Sequence, residues 1–188
     1  TCGCCVMCQK LSTAIFLVLV AQMELPDGFL PAIHVHSYRI RDFVNTREPI
    51  WTYNTTKRKD VRCRYDRMRF IDSGFIAFNR TMLRNRQRMS LELLGEFSSR
   101  RVARMHIYHG PLQLSTETLV YKTPDSSCGV IVVRSFIQGS SYVDLRVRNS
   151  FIRDGPRLEC RREFSRIAHW GKVIYSSSCS KELLKALG

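Results

Sequence analysis

Between Pro49 and Arg148 the chain repeats one pattern eight times: a short run in which apolar and polar side chains alternate, then a turn signal. The runs are Pro49–Thr56, Val61–Ile71, Phe75–Met82, Met89–Phe97, Val102–Tyr108, Glu117–Lys122, Cys128–Phe136 and Tyr142–Arg148. Between them stand Ser73-Gly74, Gly110-Pro111, Pro124-Asp125 and Gly139-Ser140, residues that turn a chain rather than continue it. No helical period intervenes, which excludes parallel strands joined by crossover helices. The pattern predicts an all-β fold, an eight-stranded antiparallel barrel, with a β-sandwich as the alternative. A short N-terminal helix is expected over Tyr38–Asn45, before Glu48-Pro49 stops it. A C-terminal helix is expected over Leu158–Trp170, followed by an extended Val173–Tyr175.

Ahead of the strands, Leu11–Ala21 is an apolar run too short to span a bilayer but of signal-peptide length, with Lys10 before it and small Ala21 as a cleavage point. Residues 1–21 therefore read as a leader and 22–188 as one domain, with cleavage a few residues later as the alternative. Met7 is a candidate start, which leaves Thr1–Val6 as upstream sequence. Cys2, Cys4, Cys5 and Cys8 crowd into this leader without the second downstream pair that a structural zinc site uses. Beyond it remain Cys63, Cys128, Cys160 and Cys179, an even number in a chain bound for an oxidising compartment. Two disulfides are expected, and four cysteines allow three pairings. The sequons at Asn54 and Asn79 agree with secretion.

The formal charge is +14, from 30 Lys and Arg against 16 Asp and Glu, so nucleic acid has to be considered as a partner. The arginines are spread along the whole chain instead of gathered on one helix or arm, and a leader argues against a nuclear role. A general affinity for acidic glycans or membranes is the milder consequence. His34 and His36 lack a neighbouring acid or thiol, so no metal is expected. There is no G-x-S-x-G, P-loop, H-E-x-x-H or dinucleotide fingerprint. The chain is expected to be a binder without a cofactor, and not an enzyme. Trp51 with Tyr53, and His106 with Tyr108, are candidate ligand contacts, because each pair shares a strand face.

Three strings carry a resemblance: Glu48-Pro49-Ile50-Trp51-Thr52-Tyr53-Asn54-Thr55-Thr56, Cys128-Gly129-Val130-Ile131 and Tyr142-Val143-Asp144-Leu145-Arg146-Val147. They are similar to the tick salivary lipocalins of the histamine-binding protein family, in the family's order, from about Tyr38 to Cys179. The resemblance implies an eight-stranded barrel with a flanking C-terminal helix, secreted to sequester host mediators such as histamine or serotonin. It also implies disulfides Cys63–Cys179 and Cys128–Cys160.

The amine-binding members carry Cys-Asp-Val and then Glu-Leu-Trp or Glu-Leu-Tyr. Here Gly129 stands at the first acid, while Asp144-Leu145-Arg146 keeps a shorter acid and replaces the aromatic ring with a guanidinium. An amine needs a carboxylate and aromatic faces, and Arg146 opposes both. Asp144 and Arg146 leave the same strand face and can neutralise each other. The resemblance implies that this face is the inner one, with Tyr142 as a further ligand contact, and the alternative is that both charges face solvent. The implied function is capture of a biogenic amine by a monomeric, secreted scavenger without a membrane span. The alternatives are an anionic lipid held by Arg146 with Arg104 or Arg134, or a ligand-free barrel that inhibits a protein partner.

Overall fold

The computed structural model describes residues 38–58 and 60–186. The expected leader, with His34 and His36, lies outside them. Strands β1 (Ile50–Thr55), β2 (Arg62–Ile71), β3 (Phe75–Arg84) and β4 (Gln87–Phe97) are followed by β5 (Arg104–His109), β6 (Leu112–Lys122), β7 (Cys128–Ser135) and β8 (Ser140–Arg148). From β2 to β8 each pairs antiparallel with the next, and β8 pairs with β1. The sheet then closes on itself, because β1 also pairs with β2 through Ile50↔Asp66 and Trp51↔Tyr65. That closure decides for the barrel over the sandwich.

Two elements start elsewhere than the alternation predicts. β6 begins at Leu112, five residues before the expected Glu117, since the bulge after Ile107 lets Gln113 pair with Tyr108 and Leu112 with His109. β5 begins at Arg104 and not at Val102, because the Arg104 amide closes a turn onto the Arg101 carbonyl.

At one end the barrel is plugged by helix α1 (Ile40–Val44), whose Ile40 and Phe43 are wholly buried. Arg148 donates to the carbonyls of Asp42 at 3.1 Å and Phe43 at 2.8 Å, where cations favour a helix C-terminus. Outside the barrel, helix α2 (Leu158–Ile167) lies against β6, β7 and β8. It stops before the expected Trp170, because Ala168 is already extended. Val173 ends a two-residue strand, β9 (Lys172–Val173), on the edge of β1, and the tail forms a further helix, α3 (Cys179–Lys185).

The apolar residues therefore divide into two layers. Inside lie Ile76, Phe78, Leu93, Met105, Ile107 and Ile131. Outside, Val143, Leu145 and Val147 pack with Phe164 of α2 and with Trp51. Disulfide Cys128–Cys160 ties α2 to β7, and Cys63–Cys179 ties α3 to β2, as the resemblance implies. Cys63 takes a left-handed φ of 52° where the β2–β3 register shifts between Arg62 and Tyr65, which turns its side chain outward.

The 32-residue separation of Cys128 and Cys160 makes their cross-link worth about 4 kcal/mol in the chain-entropy account. The double variant C128S/C160S is expected to lose about that much in denaturant unfolding while keeping its far-ultraviolet β signature.

Candidate functional site

Strand β8 alternates cleanly. Val143, Leu145 and Val147 face α2, so Tyr142, Asp144 and Arg146 face the interior, where all three are buried. Asp144 accepts from the Thr55 hydroxyl at 2.7 Å, from Arg146 at 3.0 Å and from Arg64. Arg64 in turn donates to the Thr52 hydroxyl at 2.9 Å. Arg146 reaches both oxygens of Glu117, at 2.7 and 2.9 Å, and Asp66 at 3.3 Å. Arg80 completes the cluster with a two-point contact on Asp66, 2.7 Å each, and a third bond to Glu117 at 2.9 Å. Three guanidinium groups thus face three carboxylates across the waist of the barrel, and every carboxylate touches two arginines.

Burial alone would push Glu117 up, but Arg146 and Arg80 override it and hold the carboxyl at about 2. Burial acts on Asp144 in the same direction, and Arg64 with Arg146 hold it well below the usual carboxylate range. Both acids are therefore charged at neutral pH, and their charge is already matched.

The waist separates two unequal spaces. Toward α1 there is a cavity of about 20 Å³ beside Asp66, Met68 and Arg146, room for about one water. Toward the other end lies a mouth of about 240 Å³. Its walls are apolar, from Met82, Met89, Leu91, Leu93, Leu114 and Ile137. Four cationic side chains, Lys57, Arg64, Arg80 and Arg84, also line it, and no acidic one does. Tyr142 stands between waist and mouth, with the Lys57 ammonium 5.0 Å above its ring.

Of the residues expected to contact a ligand, Tyr142, Asp144 and Arg146 come together inside, and four others do not. Trp51 and Tyr53 face outward, because Ile50 and Thr52 take the inward positions of β1. Trp51 donates to Asn149 Oδ1 at 2.9 Å and packs on Tyr65 and Tyr175, and Tyr53 stacks on Tyr175. His106 and Tyr108 are also outside, since Met105 and Ile107 belong to the inner layer. His106 Nδ1 sits 3.1 Å from both Thr116 Oγ1 and Gln113 Nε2. Arg134 is exposed, its guanidinium 5.8 Å from the Phe136 ring. Arg104 lies on the outward side of β5, beside inward Met105. Asn54 is the penultimate residue of β1 with its carboxamide oxygen buried, whereas Asn79 is half-buried on the outward face of β3.

Arg64, Asp66, Arg80 and Glu117 were not anticipated, although their signal was present in the pattern. Arg80 is in phase with Ile76 and Phe78, and Glu117 is in phase with Leu119, so each interrupts an apolar face with a charge. Gly129 has a structural reason of its own. A Cβ there would lie 3.0 Å from the Phe43 ring and 3.1 Å from Leu119, so the space a side chain would take is filled by Phe43 of α1 and by Leu119.

No protein-family model matches the sequence, and no curated protein does. Solved structures match the fold. The AM182 protein in its serotonin complex aligns with a TM-score of 0.59 at 18% identity, covering 76% of this chain and 93% of that one. Per a 4, a major allergen from cockroaches, aligns at 0.55 and 12% identity over 77% of this chain and 92% of its own. Japanin from Rhipicephalus appendiculatus, bound to cholesterol, aligns at 0.51 and 9% identity over 70% and 95%. With the closed eight-stranded barrel and its C-terminal helix, these matches define a lipocalin-type fold.

Two outcomes test the waist and a third the plug beneath it. Glu117 has a folded pKa of about 2 against an unfolded value of about 4.3, so its contribution is present above the unfolded value and is lost as pH falls toward 2. Unfolding free energy is expected to fall by about 3 kcal/mol through that window, and Glu117→Gln to cost about 3–5 kcal/mol at pH 7 by leaving two arginines short of a partner. Gly129→Asp, which introduces the acid of the amine-binding lipocalins the sequence resembles, is expected to lower stability by about 3 kcal/mol or more, because its carboxylate meets an aromatic ring instead of a counter-ion. Denaturant unfolding of the unmodified protein between pH 7 and pH 2, and of the two variants at pH 7, checks all three.

Proposed function

We propose that the chain captures one small amphipathic anion, an apolar chain ending in a carboxylate such as an eicosanoid, in the mouth of its barrel. It acts as a stoichiometric extracellular scavenger and not as a catalyst. The observation that carries this reading is the composition of the mouth: apolar walls, four cations and no acid around about 240 Å³. A carboxylate entering there meets Lys57 and Arg84, neither of which belongs to the waist cluster, while its chain lies against methionine and leucine side chains. The two disulfides support an oxidising, extracellular setting. Ligand capture by AM182 and Japanin supports use of the same architecture for a small molecule here.

A biogenic amine is less well served. Asp144 and Glu117 each already hold two guanidinium groups, so an ammonium has to displace an arginine rather than fill an open position. The aromatic pairs expected to face it, Trp51 with Tyr53 and His106 with Tyr108, lie on the outer surface of the barrel.

Calorimetric titration with decanoate, leukotriene B4, histamine and serotonin separates the readings. The expected result is heat of binding with the two carboxylates only, and a loss of about tenfold or more in their affinity in the Lys57→Glu/Arg84→Glu variant. Binding of histamine or serotonin tighter than that of either carboxylate would overturn the proposal.

A further inference from the structure

The rim of the mouth carries large apolar side chains that the barrel leaves uncovered. Leu112 is 56% exposed, Phe136 48% and Ile137 62%. Leu112 follows the turn between β5 and β6, and Phe136 and Ile137 occupy the turn between β7 and β8. In an up-and-down barrel those turns share one end with the β1–β2 and β3–β4 connections. Ile137, Gln138, Lys57 and Arg84 meet around the same opening, which confirms the placement. Trp170, 48% exposed, joins this rim in a shallow groove with Lys57, Arg58 and Gln138. Cations stand among these apolar tips: Arg58, Arg84 and Arg86 are exposed, and Arg134 lies over the Phe136 ring. The acids in this region are Asp60, which shares a groove with Arg62, Arg86 and Lys185, and Glu182, which is paired with Arg62.

Exposed aliphatic and aromatic tips ringed by arginines, with a tryptophan at their edge, match the chemistry of a lipid interface. The apolar tips enter the boundary between headgroup and acyl chain, the indole sits at headgroup level, and the guanidinium groups contact anionic headgroups. We propose that the open end of the barrel docks on an anionic lipid surface, with Leu112, Phe136, Ile137 and Trp170 as the inserting side chains. The opposite end is closed by α1 and has no such opening. Docking by the mouth directs the ligand cavity at the bilayer, and it does not depend on which ligand the cavity holds.

The chain has two tryptophans, and Trp51 is 4% exposed, so a change in emission on docking comes from Trp170. The full secreted protein, without added ligand, is mixed with vesicles of phosphatidylcholine alone or with about 30% phosphatidylserine. The expected result is a blue shift, reduced acrylamide quenching and co-sedimentation with the anionic vesicles only, the shift being absent in Trp170→Phe. Leu112→Glu/Phe136→Glu is expected to lower partitioning about tenfold or more, and Arg58→Glu/Arg86→Glu to lower it as well. Phe75→Glu, at the closed end, is expected to leave it unchanged. Any of three results overturns the proposal: no partitioning; partitioning insensitive to Leu112→Glu/Phe136→Glu or lost instead in Phe75→Glu; or binding to heparin with none to vesicles.

Discussion

Everything inside this barrel is arranged around a balanced set of buried charges. Arg64, Arg80 and Arg146 face Asp66, Glu117 and Asp144 with no charge left over, and the side chains come from β2, β3, β6 and β8, with hydroxyl groups from β1. Removing a single member leaves a buried charge without its counter-ion, which costs far more than an ordinary surface ion pair contributes. The cluster also fixes register. A one-residue slip in β2, β3, β6 or β8 would turn its charge out of the barrel and bring its outward neighbours in.

That cluster determines what the interior has left for a ligand. It fills the waist, and the plug of α1 fills the end below it, where Gly129 makes room for Phe43. The larger space lies toward the open end, where Lys57 and Arg84 join the waist's Arg64 and Arg80 in the lining and no acid does. Because the waist is internally neutral, the chain's formal excess of +14 has to be carried elsewhere. Part of it appears as the arginines of the rim, which is why the cavity and the surface around it share one electrostatic preference.

Outside, the structure solves a different problem. β8 buries both of its faces, one against the waist and one against α2, so alternation alone does not say which face is inner. The disulfides hold the C-terminal segment against the outside of the barrel: Cys128–Cys160 anchors α2 at β7, beside β8, and Cys63–Cys179 anchors α3 at β2. Trp51 and Tyr53, turned outward by the inward Ile50 and Thr52, are covered by the tail as an outer aromatic cluster with Tyr175.

The sequence by itself determined the eight barrel strands, their antiparallel order and the presence of α1 and α2, because these depend on local period, turn residues and composition, whereas β9 and α3 depend on contacts of the tail with β1 and β2. It also placed Asp144 and Arg146 on one face, since side chains two apart on a strand leave it together. Tertiary structure decided which face that is, and which partners the charges find. Met105 and Ile107 turned His106 and Tyr108 outward, and the bulge between Gln113 and Ser115 extended β6 beyond its apolar pattern. Arg80 and Arg146 lie far apart in the chain yet share Glu117 across the waist. Ion pairing between distant strands leaves no mark of its partner in local sequence, because the match is made by register and closure and not by spacing along the chain.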